Sequence, residues 1–473
     1  MDTGRFESML HESDSLTLAQ KYSCQAPRYT SYPTALQFRD DFAVQTYVDW
    51  VKTQARRDEP LSLYIHIPFC RDICYYCACN KTVSRKEDDA RRYLDHLKTE
   101  LTLQSKLLGK KRKIVQMHWG GGTPTYLSNA QITELVHLLA THFQLLADEN
   151  QEYAIEIDPR TVNTETIALL RGLGFNRVSL GIQDFDPLVQ KAINRLQPYS
   201  DVEALVNCIR GHGFESLSFD LIHGLPHQDG VTTRETIAKV LKLRPDRIAC
   251  YNYAHLPERF LSQRAIDRLA LPSPRQRLAQ QLWTSKALCD AGYVHIGMDH
   301  YVLPEDELAK AQQNGRLQRN FQGYSVRKAR DILGLGVSSI SQMGDFYLQN
   351  TRELPAYYQA CKQKRLPVSR GLKLNREDRL RRHVIMSLIC QLKLDIRECE
   401  ERFNIDFRQH FAQALSALTL MAKDELVHIE RDQITVPERG RAFLRNICLP
   451  FDTYHRAATA NSSTVSRVHS LSI

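Results

Sequence analysis

From Ser62 onward the sequence alternates short β-rich runs with longer helical patterns, and this rhythm constrains the fold more than any other feature. The runs are Leu63 to Phe69, Ile114 to Trp119, Tyr153 to Asp158, Arg177 to Gln183, Leu217 to His223 and Arg247 to Tyr253, with a weaker seventh from Val294 to His300. Most are almost continuously apolar, as strands of a parallel sheet covered by helices are. Helix signals fit between them: Ser273-Pro274, then Leu278 and Leu282, then Gly292 reads as cap, first-turn proline, apolar stripe and stop. Such alternation specifies an α/β barrel or a doubly wound sheet. The unusual residues separate the two. Cys70, Gly120-Gly121-Gly122, Glu156, Asp158, Gln183-Asp184, Asp220 and Asn252 fall at or near the C-terminal ends of successive runs. Barrel enzymes build their sites around that rim, whereas a doubly wound sheet gathers them at one crevice. The expected fold is α/β, a partial TIM-like (β/α) barrel.

After about Leu354 the rhythm stops. Asn375 can cap a helix through Leu380, Val384, Leu388 and Leu392; Leu426 to Ile429 with Ile434 to Val436 reads as a hairpin; a last helix spans Glu438 to Ile447. The expected division is an N-terminal extension over the active site (residues 1–55), a barrel (56–353), a smaller, mainly helical C-terminal domain (354–455) and a disordered tail (456–473), the last rich in Ser and Thr. Helices followed by a hairpin resemble winged-helix modules. The mixed charges there favour a lid or packing role and no nucleic acid as partner. The net charge is a mild +9, spread along the chain, and its one tight cluster, Lys110 to Lys113, reads as a solvated loop. Met1 to Ser23 has no apolar segment of the signal-peptide kind, and no run approaches the ~20 apolar residues of a membrane helix. The expectation is a cytoplasmic protein without a membrane partner.

Four of the twelve cysteines lie between Cys70 and Cys79. Tight clusters in long chains read as metal or redox sites, not as disulfide frameworks. Cys70, Cys74 and Cys77, on a loop leaving a strand, can converge on one cluster. Cubane clusters usually take four cysteines, so three leave one iron open to a substrate or cofactor that chelates through amino and carboxylate groups. A zinc knot completed by Cys79 or His66 is the alternative, but structural zinc sites pair two distant hooks and no second hook exists here.

Cys-x-x-x-Cys-x-x-Cys after an apolar strand resembles the signature of the radical S-adenosylmethionine (SAM) superfamily. The surrounding motifs are similar to one family within it, the oxygen-independent coproporphyrinogen III oxidases. They run in order: Pro27 to Pro33, the cluster with Cys79-Asn80-Lys81, His118 to Thr125, Glu156 to Arg160, Gly181 to Phe185, Asn252 to Pro257 and Arg319 to Tyr324. The resemblance implies a [4Fe–4S] cluster on Cys70, Cys74 and Cys77, and two SAM molecules. It places Tyr64 near the first sulfonium, Glu156 on the first SAM and Ile340 at its adenine. It assigns Gly121, Gly122 and Thr123 to the two SAM molecules, and Tyr76, Gln183, Arg195, Asp220 and Ala254 to the second. Cys79 and Tyr64 are the implied catalytic residues, and Arg28 is expected to bind a substrate carboxylate. Glu156 stands in an apolar strand, and a buried acid demands a partner. The implied reaction uses a 5′-deoxyadenosyl radical to convert two propionates of coproporphyrinogen III to vinyl groups, giving protoporphyrinogen IX. The implied partners are that substrate and an electron donor such as a flavodoxin or ferredoxin, the protein acting as a monomer. Two rivals share the core: a haem-trafficking relative without oxidase activity, against which Cys79-Asn80 and Pro27 to Pro33 speak, and an enzyme acting on another tetrapyrrole.

Overall fold

The computed structural model describes residues 14–54, 59–109, 111–147, 151–326 and 331–455. The chain forms two compact units that interleave in sequence: Phe38–Ser273 with Arg327–Lys373, and Met1–Gln37 with Pro274–Val326 and Leu374–Ile473. This differs from the linear division expected above. Residues 274–326 leave the barrel for the helical unit, while 354–373 stay with the barrel as helix Leu354–Lys362 and strand Val368–Lys373. The extension divides too, helix Val44–Thr53 belonging to the barrel unit. The tail 456–473 and the first residue of the Lys110 to Lys113 cluster lie outside the described residues.

The barrel unit is built on strands β1 (Leu61–Ile67), β2 (Lys113–Gly121), β3 (Glu152–Ile157), β4 (Arg177–Gln183), β5 (Ser216–His223), β6 (Arg247–Asn252), β7 (Asp331–Leu335), β8 (Ile340–Met343), β9 (Phe346–Asn350) and β10 (Val368–Lys373). Their order is β6-β5-β4-β3-β2-β1-β7-β8-β9-β10, a path that does not close on itself. Pairs from β6 to β7 are parallel, and those from β7 to β10 antiparallel. Six of the expected runs are β1 to β6. The seventh is a correction. Val294 to His300 is a strand only over Val294–Gly297, because Gly297 (φ +143°) and Met298 (φ 54°) reverse the chain into an antiparallel hairpin with His300–Val302; both strands belong to the same large sheet, although this stretch is assigned to the helical unit. The seventh parallel strand is β7, which returns beside β1.

Side-chain alternation determines what the sheet encloses. Leu63, Ile65, Met117, Trp119, Ile155, Leu180, Ile182 and Phe219 are fully buried. Removal from water contributes roughly 1.5–3 kcal/mol for each such large side chain. The alternate positions, Tyr64, His118, Ala154, Glu156, Ser179 and Asp220, are only half-buried. Register aligns them: Tyr64 opposes His118, His118 opposes Ala154, Glu156 opposes Ser179, and Gly181 opposes Asp220. One face of the curved sheet is therefore apolar and covered, while the other lines a polar hollow.

The helical unit has its own core, including Leu380, Val384, Leu388, Leu418, Ile434 and Leu444. Helix Arg376–Gln391 starts where expected, with the Asn375 side chain accepting from the Asp378 amide in a capping box. The expected hairpin is His428–Ile429 with Gln433–Thr435, and Lys393–Asp395 adds a third strand. The expected last helix is a 3-10 segment (Glu438–Phe443) followed by a short α-helix (Leu444–Cys448). Among the described residues no helix is long and apolar enough to cross a membrane.

Candidate functional site

The cysteine loop leaves β1 through the short strand Phe69–Cys70, which pairs in parallel with Thr82–Val83. Backbone bonds tie this exit to the glycine run: the Gly122 amide donates to the Ile67 carbonyl (2.8 Å) and the Thr123 amide to that of Phe69 (2.8 Å). A Cβ on Gly122 would lie 2.7 Å from Pro68 backbone atoms, and one on Gly121 (φ +116°) 2.7 Å from the His66 ring. Only glycine permits this approach. The far side of the loop is held by Asn194 Nδ2 on the Ile73 carbonyl (2.7 Å), by the Tyr75 amide on the Ile193 carbonyl (3.0 Å) and by Lys81 Nζ on the Cys77 carbonyl (2.9 Å).

Donors surround the sulfurs. Thr123 Oγ1 lies 3.5 Å from Cys70 Sγ, and Arg195 Nη1 and Arg160 Nη2 lie 3.5 and 3.8 Å from Cys74 Sγ. Both arginines also bind Asp158, at 3.0 and 2.7 Å to Oδ2. Burial opposes ionisation of Asp158, but the two guanidinium groups outweigh it and hold its carboxyl below the usual range. Arg195 also donates to the Gly181 carbonyl (2.7 Å). Gln183, at the end of β4 with φ 67°, brings its amide to Gly181 beside Arg195. Burial raises the Tyr76 phenol, which lies within the fields of Arg195 and Cys74. Gln263 Nε2 donates to the carbonyls of both Tyr76 and Ala254 (3.1 Å each), which brings those two expected residues together. Cys79 is exposed and hydrogen-bonds to Cys77, an arrangement that favours the Cys77 thiolate and raises the Cys79 thiol.

The second cluster is centred on Glu156. Its Oε1 accepts from His118 Nε2 (3.0 Å) and its Oε2 from the Gly121 amide (3.3 Å). Burial alone would raise this carboxyl, yet the donors bring it below its ordinary value. Its side chain is still 43% exposed on a central strand, so it faces the hollow. Asp220 is pushed up to about 7 by burial and then by the Glu156 charge, with Ser179 Oγ donating to it at 3.1 Å. Tyr64 is stacked on His118 (centroids 6.0 Å, 13°). The Asn80 carbonyl can only accept, so His66 donates to it through Nε2 (3.0 Å) and accepts from the Tyr64 hydroxyl at Nδ1 (3.1 Å). Ile340 opens β8, its backbone against Gly334, which pairs with Tyr64.

All the residues singled out from sequence for metal, cofactor or catalysis therefore lie in the barrel unit, around the Cys70 loop, Glu156 or the β7–β8 turn. Sequence reasoning considered His66 only as a ligand of the alternative zinc knot, and assigned no role to His118, Arg160, Lys81 or Gln263. His66 and His118 share the alternate-residue face of Tyr64 and Gly120, which was a legible signal; Gln263 left none.

Two family models match: the radical SAM superfamily over residues 64–240 and the HemN C-terminal domain over 374–443. The oxygen-independent coproporphyrinogen III oxidase of Escherichia coli is 47% identical over 441 residues, 93% of this chain and 95% of its own. That of Pseudomonas aeruginosa is 46% identical over 437 residues, 92% and 95% of the two chains. The solved Escherichia coli coproporphyrinogen III oxidase, described as a radical SAM enzyme, superposes with a TM-score of 0.88 at 45% identity, covering 93% of this chain and 98% of that one. The chain belongs to the oxygen-independent coproporphyrinogen III oxidase family.

Members of this radical SAM family carry a [4Fe–4S] cluster and SAM, and the residues present fit both. Among the described residues no three His, Cys, Asp or Glu side chains close on a single metal ion. A cubane does not need that, because it offers a separate iron to each thiolate. The guanidinium and hydroxyl donors at Cys70 and Cys74 suit an anionic cluster. The glycine strip, against which a side chain would collide, and the half-open Glu156 suit an adenosyl ligand.

Proposed function

We propose that this chain catalyses oxygen-independent oxidative decarboxylation of two propionate side chains of coproporphyrinogen III to vinyl groups, yielding protoporphyrinogen IX. The observation that carries the reading is the Cys70-Cys74-Cys77 loop, tied through Gly122 and Thr123 to the rim of a polar hollow, in a chain that matches oxidases of this name along 95% of their length. When bound, cluster and SAM supply one-electron cleavage of the sulfonium and hydrogen abstraction from the propionate, after which carbon dioxide and one further electron leave.

Cys70, Cys74 and Cys77 hold the cluster. Glu156, ionised and held by His118, accepts the polar groups of the first SAM; Tyr64 stacks near its sulfonium and Ile340 lines its adenine. Tyr76, Gln183, Arg195, Asp220 and Ala254 contact a second SAM, and Gly121, Gly122 and Thr123 serve both through backbone and hydroxyl. Arg195 joins that site to Cys74. Cys79 and Tyr64 stand beside the reacting atoms. An electron donor such as a flavodoxin or ferredoxin supplies the first electron to a monomeric, cytoplasmic enzyme.

The test is anaerobic incubation of reconstituted protein with coproporphyrinogen III, SAM and a reductant. The expected product has the mass of coproporphyrinogen III less two carbon dioxide molecules and four hydrogens. Tight haem binding without turnover, or purified protein holding zinc and no inorganic sulfide, would overturn the reading.

A further inference from the structure

Arg319 lies on Gln318–Asn320, a strand of a two-stranded hairpin within the helical unit, directly opposite Tyr324 of the partner strand Gly323–Ser325. Its guanidinium carbon stands 4.5 Å from the centroid of the Tyr324 ring. The residue is 9% exposed, and its Nε and Nη1 are buried without a hydrogen-bond partner. Among the described residues no carboxylate lies within ion-pair distance of it. A ring face offsets only part of what a buried cation loses in leaving water, so an unpaired guanidinium here destabilises the ligand-free fold.

The surroundings add positive charge. Arg28 reaches Asp299 at 3.8 Å. Arg445, 8% exposed, donates to the carbonyls of Pro27 and Ala26 and is brought down to about 10 by burial and then by Arg28. Asp299 lies within the field felt by both Arg445 and Tyr324. The guanidinium groups of Arg28, Arg319 and Arg445 thus gather around Asp299 and Tyr324. Such an arrangement suits an anion that arrives with the ligand, and a planar fork with unused donors suits a carboxylate best.

We propose that Arg319 binds a carboxylate of the porphyrinogen, one of the propionates that gives the substrate its charge. The inference rests on the activity proposed above and adds a recognition residue to it. The methionine end of SAM also bears a carboxylate, so the experiment must distinguish the two sources.

The test uses the full reconstituted chain, anaerobically, in wild-type, Arg319→Met and Arg319→Lys forms. It measures the Kd for coproporphyrinogen III, the Kd for SAM and the ligand-free Tm. Arg319→Met should weaken coproporphyrinogen III binding at least about tenfold, which corresponds to ~1.4 kcal/mol, with SAM affinity unchanged. It should also leave the ligand-free Tm equal to or above that of the wild type, since an apolar chain of similar length replaces an unpaired charge. Arg319→Lys, a cation without the fork, should fall between the two. Unchanged coproporphyrinogen affinity in Arg319→Met overturns the proposal. A loss of SAM affinity instead assigns the guanidinium to the other carboxylate and overturns it equally. A lower ligand-free Tm overturns it by making the role structural. Wild-type protein that fails to bind coproporphyrinogen III refutes the activity itself, a separate outcome.

Discussion

Substituting alanine for glycine adds the same atom everywhere, but it should destabilise the fold at Gly122 and not at Gly172. At Gly122 the new Cβ would lie 2.7 Å from the carbonyl carbon and oxygen of Pro68 and 2.8 Å from the oxygen of Phe69. Real Cβ atoms essentially never approach other heavy atoms within 3.0 Å, and backbone cannot rotate aside. The segment that delivers Cys70 must therefore shift by several tenths of an ångström. Overpacking of this kind costs about 1–3 kcal/mol. The shift also strains the amide bonds from Gly122 to Ile67 and from Thr123 to Phe69, both 2.8 Å. At about 0.5–1.5 kcal/mol each, these bring the total to roughly 2–6 kcal/mol, concentrated where the cysteine loop starts. Gly172, in helix Thr164–Gly172, has nothing within 4 Å of a built Cβ and no left-handed φ. There the same change should be neutral or stabilise by up to ~1 kcal/mol. Urea unfolding gives the stabilities, and iron and sulfide content after reconstitution reports the loop. Gly122→Ala is expected to lose stability and most of its iron, and Gly172→Ala to keep both. Full iron and unchanged stability in Gly122→Ala would refute the steric account.

Glu100 is fully buried on helix Glu87–Leu108, accepting from the Gly336 amide (2.8 Å), Tyr357 (2.7 Å) and Asn350 (2.6 Å), and burial pushes its carboxyl up to about 7. Between its unfolded value of 4.5 and about 7 the folded state holds a proton that the unfolded state has lost, so stability falls as pH rises across that window, by on the order of 3 kcal/mol. Urea unfolding between pH 4.5 and 8 should show this slope in the wild type and lose it in Glu100→Gln; equal slopes would remove the assignment. Cys74→Ser should lose both iron and SAM cleavage, whereas Cys79→Ser should retain iron and SAM cleavage but lose substrate turnover; iron loss in Cys79→Ser would make it a ligand. Glu156→Gln should weaken SAM binding about tenfold or more while leaving iron content intact, read by equilibrium dialysis, because an amide replaces the ionised acceptor held by His118; unchanged affinity would place SAM elsewhere.

The apolar runs and the cysteine spacing determined a good deal without coordinates. Continuous burial of Leu63, Ile65 and their counterparts is a local property of each strand, so β1 to β6 were legible, as was the rim that carries Cys70, Gly121 and Glu156. Helix Arg376–Gln391 was legible for the same reason, since Asn375 caps it within four residues. Tertiary structure decided what depends on distant partners. The apolarity of Val294 to His300 signalled a strand, which the chain keeps as far as Gly297; two left-handed residues then turn it into a hairpin, and β7 reaches its place beside β1 through pairing across about 270 positions. Asp158 could be seen at a strand end, but not that Arg160 and Arg195 would join it to Cys74. Arg319 read as part of a motif, and only packing left its guanidinium buried without an anion. Strand and cap signals act within a few residues of chain, whereas the pairing of charges depends on which residues the folded chain brings together.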